Sequence, residues 1–222
     1  MRGYSLFRRD RIGRCSGGVA IYVNNRLLSN IWTYPGDSSK FELLWVHVQA
    51  QCHEMFVGAL YHPPKPLYKS TELLDYIERG VEALSSMFPD ATIVLAGDFN
   101  TLDDSELVSR STLSSIVIKP TRGKNILDRI YVNDLCYATV RVVASTVKSD
   151  HKAIIAYTGQ QVQPLNKTRQ RCVFRRRSPA QHASFLKYAS QLSIEFDDGS
   201  DVYRSTSTRC TASCAIFYIV SI

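Results

Sequence analysis

No apolar stretch of this 222-residue chain approaches the roughly 20 residues that a membrane-spanning helix needs. Even the apolar end, from Ala215 to Ile222, is far too short, so no membrane partner is expected. No signal-peptide core follows Met1, and the six cysteines, Cys15, Cys52, Cys136, Cys172, Cys210 and Cys214, are scattered along the chain. Both absences speak against a secreted disulfide framework. Reduced thiols and a nuclear or cytoplasmic protein are expected. Cys210 and Cys214 lack a second ligand pair, which argues against a structural zinc site. Acids are missing in places too: no glutamate precedes Glu42, and neither acid occurs between Gly159 and Ile194.

What is present is a basic chain able to bury a sizeable core. The hydrophobic share is 45% and the formal net charge is +7. That length favours one domain with an appendage over two full domains. Arg2, Arg8, Arg9, Arg11 and Arg14 crowd the start around the single acid Asp10, and Lys167, Arg169, Arg171, Arg175, Arg176, Arg177 and Lys187 fill the acid-free stretch. Such clusters attract phosphate backbones without regard to base sequence. The Arg175–Arg177 run reads equally as a nuclear-import signal or as a solvated tail.

Three segments read as consecutive strands of a sheet: GGVAIYV (17–23), FELLWVHV (41–48) and MFVGALY (55–61). A helix buried along one face follows, with Ser70 or Thr71 as its N-cap, Leu74, Ile77, Val81 and Leu84 at helical spacing, and the Pro89-Asp90 turn as its stop. ATIVLA (91–96) is a short uninterrupted apolar run, the mark of a strand covered on both faces, and Gly97-Asp98 begins a polar loop at its carboxyl end. Segments 126–132, 138–146 and 151–158 resemble further strands divided by turn residues. Beyond Gly159 the pattern fades into a basic linker, 159–198, with a short helix over 179–192. The composition then shifts into a tail, 199–222, expected to be disordered or the aberrant product of a shifted reading frame or splice. No internal repeat is present.

The polar residues at two apparent strand ends carry the chemistry. GDFN supplies Asp98 and Asn100, and SDH supplies Asp150 and His151. Cleaving a phosphodiester requires charge neutralisation at the phosphate, a positioned water and protonation of a departing alkoxide, and hard oxygen ligands around Mg2+ meet the first need. Asp98 can orient or deprotonate the water. Asn100 can donate to a phosphate oxygen or hold Asp98, His151 can stabilise phosphate charge as a donor, and Asp128 can fix the His151 ring. A GDFN turn alone is often only a tight loop, and an Asp-His pair alone is often a surface pair. The weight lies in their order along the chain, with Tyr61-His62-Pro63-Pro64 upstream and Leu127-Asp128-Arg129-Ile130 between.

In these motifs, together with GYSLFRRDR, GGVAIYV, ALYHPP, PTRGKNILDRIYV and the closing SDH, residues 1–158 resemble the endonuclease/exonuclease/phosphatase superfamily. More closely, they resemble the apurinic-type endonuclease domain of non-LTR (LINE-like) retrotransposons. The segment around SPAQHASFLKY resembles the linker that precedes a reverse transcriptase in such elements. The resemblance implies an α/β fold: a four-layer α/β sandwich, DNase I-like, with two sheets packed face to face between helices, the site at the strand ends, and an irregular C-terminal appendage. It implies Mg2+ or Mn2+ as cofactor, with Asp150 and Asp98 binding metal. Asp98 positions the attacking water or assists the leaving group, Asn100 supports it, His151 contacts the scissile phosphate, Asp128 orients His151, and Tyr61 contacts the phosphate.

The family's first strands, which carry an Asn and a metal-binding Glu, have no counterpart here, and the surroundings of Glu42 do not match that Glu. The expectation is an endonuclease domain over 1–158 lacking its first strands. It acts as a metal-dependent DNA-nicking endonuclease of retrotransposon origin, with catalysis weakened or lost. The expected partners are DNA, with element RNA or a separately encoded reverse transcriptase as further ones. Two other readings stand beside it: a phosphatase or phospholipase of the same superfamily, and a nucleic-acid-binding remnant without catalysis, held by phosphate contacts alone.

Overall fold

The computed structural model describes residues 3–11, 18–34, 36, 39–50, 53–134, 137, 139–145, 149–157 and 217–221. All of these belong to one compact unit, residues 1–160 with 210–222; the second unit, 161–209, lies outside the described residues. So do all six cysteines, the arginine run and the expected helix over 179–192.

Alternation of strand-forming residues builds the centre. The strands are β1 (Tyr4–Asp10), β2 (Gly18–Asn24), β3 (Leu28–Trp32), β4 (Glu42–Ala50) and β5 (His53–Tyr61). After helix α1 (Ser70–Met87) come β6 (Thr92–Asp98), helix α2 (Asp104–Arg110), the short β7 (Ser114–Ser115), β8 (Asp128–Val132), β9 (Thr139–Val143), β10 (Ala153–Tyr157) and β11 (Phe217–Ser221). A six-stranded sheet runs β3-β4-β5-β6-β8-β7, a three-stranded sheet runs β1-β2-β11, and β9 and β10 pair by themselves. β5 and β6 are parallel, and β6 and β8 antiparallel.

Period-2 alternation loads both faces of the large sheet. Leu43, Trp45, Phe56, Leu60, Ile93, Leu95 and Tyr131 face Leu73, Leu74, Ile77, Val81 and Leu84 of α1, with Leu107 of α2 in the same core. Leu44, Val46, Val57, Ala59, Val94 and Val132 on the other face meet Val19, Ile21 and Val23 of β2. Residues of this kind, fully buried, each contribute about 1.5–3 kcal/mol. The architecture is the DNase I-like α/β sandwich. Of its expected four layers the described residues furnish three: helices, large sheet and small sheet.

Several details differ from the sequence reading. The segments at 17–23, 41–48 and 55–61 are not three successive strands of one sheet, because β2 pairs with β1 and packs face to face on β4 and β5. Apolar alternation is the same whether a strand joins a sheet or covers it. The N-cap of α1 is Lys69, without a side-chain cap bond, rather than Ser70 or Thr71. Helix α2 has the side-chain cap instead, with Asp103 accepting the Glu106 N–H. No strand was read at 217–221. One forms because its strand-forming residues pair with β2 along the edge that β1 leaves open.

Candidate active site

The GDFN turn is the shape it is because the backbone leaves no alternative. Gly97 pairs with Leu60 across the parallel β5–β6 junction, and any Cβ on Gly97 would sit 1.9 Å from the Leu60 carbonyl oxygen. Its φ of +149° is a second reason that only glycine fits. Three residues on, Asn100 takes φ +43°, a left-handed conformation that Asn tolerates better than most residues. Its backbone N–H donates to Asp98 Oδ1 at 3.1 Å, and its side-chain amide donates to the His62 carbonyl at 2.8 Å. The His62 N–H returns to the Asp98 carbonyl, and the Phe99 N–H reaches the Leu127 carbonyl, both at 2.8 Å. Phe99 itself is fully buried edge-on to Tyr131. The turn is thus tied to the end of β5, to the start of β8 and to the core below.

Asp128, first residue of β8, stands directly opposite Asp98. Its backbone is set by Thr121, which is fully buried and whose hydroxyl oxygen accepts the N–H groups of Leu127 and Asp128, each at 3.0 Å. The Thr121 carbonyl takes the Lys152 N–H at 2.8 Å, so one residue fastens both segments that carry the site. On the second segment, His151 Nδ1 lies 2.8 Å from Asp128 Oδ2. This bond fixes the ring as carboxylates behind histidines do.

Asp98, Asp128 and His151 each bring a ligand atom within 4.8 Å of the others. Burial, and then the like charge of Asp128, push the Asp98 carboxyl above its ordinary range, while the Asn100 N–H and His151 pull it back. A desolvated carboxylate facing a second one is short of positive charge. Two hard oxygen donors fit a divalent cation, and the imidazole stands beside them.

The other expected site residues, Asp150 and Tyr61, are not among these three. Asp150 is 65% exposed and pairs with Arg122 at 2.5 Å, outside the converging group. That hydrogen bond to Arg122 is the main reason its carboxyl is held below the usual range. Tyr61 pairs with Asp98 across β5–β6, with the Arg11 guanidinium 5.2 Å from its ring centroid. Thr121 and His62 went unnoticed as site supports in the sequence. The signal for Thr121 is its place in PTRG just before the Asp128 strand. His62 is fully buried, its Nδ1 is 3.1 Å from the Tyr68 hydroxyl and burial lowers its pKa, while its backbone N–H and carbonyl hold the turn.

Residues 3–151 match the Endonuclease/Exonuclease/phosphatase family, and the chain belongs to that family. Its fold is similar to the endonuclease domain of TRAS1, a telomere-specific non-LTR retrotransposon, with a TM-score of 0.54 and 18% identity over 72% of this chain and 82% of that one. It is similar also to truncated TDP2 of Caenorhabditis elegans, with a TM-score of 0.51 and 16% identity over 68% and 73% of the two chains. No curated protein sequence matches it. Among the described residues no helix is long and apolar enough to cross a membrane.

Proposed function

We propose that this chain is a metal-dependent DNA endonuclease of the non-LTR retrotransposon kind, nicking one phosphodiester bond. The observation that carries the reading is the convergence of Asp98, Asp128 and His151 beside Asn100 at one end of the large sheet. Asp98 and Asp128 would hold the cation, Mg2+ or Mn2+, and Asp150 would join them on leaving Arg122. When bound, the metal supplies charge neutralisation at the phosphate.

The remaining work falls to the protein. Asp98, its carboxyl raised by burial, orients the attacking water and accepts its proton as the water oxygen bonds to phosphorus, the P–O bond to the departing alkoxide breaks and that alkoxide takes a proton from solvent. Asn100 keeps Asp98 aimed through its backbone N–H. The His151 ring, braced by Asp128, donates to the scissile phosphate, and Tyr61 contacts the same group from the neighbouring strand. DNA is the substrate favoured by the +7 charge and by the similarity to a retrotransposon endonuclease.

A second reading, phosphate binding without cleavage, is favoured by one observation: Asp150 is engaged by Arg122. Supercoiled-plasmid nicking with Mg2+, with Mn2+ and with chelator separates the two. Metal-dependent nicking that falls at least about 100-fold in both Asp98→Ala and His151→Ala supports the endonuclease. DNA binding by folded protein with no nicking under either metal overturns it in favour of the second reading.

A further inference from the structure

Beside the converging group the large sheet carries a second charged cluster that none of the roles above uses. Glu42 pairs with Tyr61 across β4–β5, Tyr61 with Asp98 across β5–β6, and Asp98 with Asp128 across β6–β8. Residues directly opposite one another point to the same face. These four therefore form one row across four strands, on the face that packs against the small sheet. From that small sheet, just past β1, Arg11 reaches Glu42 Oε1 with both Nε and Nη2 at 2.6 Å. Its guanidinium carbon also lies 5.2 Å from the Tyr61 ring centroid. The side chains of Arg11 and Glu42 are only 16% and 13% exposed. One turn of the alternation earlier, Arg9 fastens β1 to β4 by donating to the Leu43 carbonyl at 2.7 Å.

A nearly buried ion pair is poor value as a stabiliser, because desolvation offsets much of its attraction and an apolar pair of similar volume often does as well. What it does confer is geometry: a guanidinium hydrogen-bonded through Nε to Glu42 Oε1 and lying over the Tyr61 ring is held between the two, and it restricts the ring in turn. Burial acts to lower the Arg11 pKa, but the hydrogen bonds and charges of Glu42 and Tyr61 outweigh it.

We propose that Arg11, locked by Glu42, is a positioning residue that holds the Tyr61 side chain in place beside Asp98 for contact with the phosphate. The phosphate contact rests on the endonuclease reading; the clamp itself does not. Arg11 acts through Tyr61 and not on the reacting atoms, so its loss slows turnover while leaving substrate capture nearly intact.

The test pairs a spectroscopic readout with a mutant cycle. The apolar replacement Arg11→Met with Glu42→Leu keeps the volume and leaves no unpaired buried charge. In full-length protein labelled with 13Cζ-tyrosine, the Tyr61 signal is assigned by its loss in Tyr61→Phe. The double replacement is expected to shift and broaden that signal, with Tyr131, on the opposite face, unmoved. In plasmid nicking it is expected to lower kcat about tenfold, as loss of an outer supporting residue does, with KM changed less than about twofold. In the Tyr61→Phe background the same replacement is expected to change kcat less than about twofold, since coupled residues do not add. An unmoved Tyr61 signal in folded protein, or a loss that adds fully to that of Tyr61→Phe, overturns the proposal. Absence of nicking by the unaltered protein defeats the endonuclease reading instead, and the Tyr61 signal then decides the clamp alone.

Discussion

The two ends of the large sheet carry the same kinds of side chain and put them to different use. At the β6 carboxyl end, Asp98, Asp128 and His151 converge within 4.8 Å. At the opposite end, His47, His53 and Glu54 lie on the paired strands β4 and β5, yet each imidazole is absorbed by its surroundings. His47 stacks on Phe56 at 4.4 Å with an interplanar angle of 5° and stands 3.5 Å from Glu54 Oε1. The His53 Nε2 meets the Thr92 hydroxyl at 2.7 Å. Acid and histidine content therefore does not distinguish the ends. What does is that one end points its polar groups at a common volume and braces each from behind, whereas the other spends them on neighbours.

The largest effect that sharpens this contrast is expected from Asp98→Asn. Nicking should fall by about 100-fold or more, the usual loss when an electrostatic group leaves an active site. Stability should move the other way. A carboxyl whose folded pKa lies above its unfolded value binds its proton more tightly when folded, so it favours the fold below the unfolded value. That contribution is lost as pH rises through the folded value. At neutral pH the ionised, desolvated Asp98 works against folding. The variant should show a higher Tm than the unaltered protein at pH 7, with the gap narrowing as pH falls toward 4. A lower Tm at pH 7 would show Asp98 to be an ordinary structural carboxylate.

The converging end was the more legible of the two. Gly97 and Asp98 end an apolar run, and the steric demand of the Leu60 carbonyl and the left-handed φ at Asn100 are the physical content of the GDFN motif. Strand periodicity located β6, β8, β9 and β10, and helical spacing located α1. The partition of strands between sheets was not legible, because Val19, Ile21 and Val23 alternate identically in a strand that joins a sheet and in one that lies upon it. Nor was the Arg11–Glu42 pair, which joins residues 31 apart through a packing contact that no local pattern encodes. Glu42 stood out only as the first glutamate of the chain, and its relation to Asp98 follows from register across two strand pairs.

Thr121→Val tests the bracing with almost no change of shape. It leaves the Leu127 and Asp128 N–H groups, both half-buried, without their shared acceptor, a loss of about 0.5–1.5 kcal/mol for each bond. Because Asp128 in turn holds His151, nicking should drop about 10- to 100-fold at pH 7, and chemical denaturation should report the stability loss. At the other end, His53→Ala should lower stability by about 0.5–1.5 kcal/mol through the lost Thr92 bond. Nicking by this variant should match that of the unaltered protein; a large loss of activity would erase the distinction between the two ends.

The smallest effect is expected at the rim, where Arg122 and Asp150 are 46% and 65% exposed. An ion pair so open to solvent adds little to folding, so Arg122→Ala should leave the unfolding midpoint unchanged. Its consequence lies in competition. The Arg122 bond is what holds the Asp150 carboxyl below its usual range, and a cation drawing on Asp150 must displace that guanidinium. Removing Arg122 should therefore lower the Mg2+ concentration for half-maximal nicking. If Arg122 also meets a DNA phosphate once released, the same variant should reduce the slope of log binding constant against log salt by about one. A lower Mg2+ requirement with an unchanged slope would leave Arg122 as a latch on the acid alone, whereas the reverse pair of results would place Arg122 on the DNA and Asp150 outside the metal's reach.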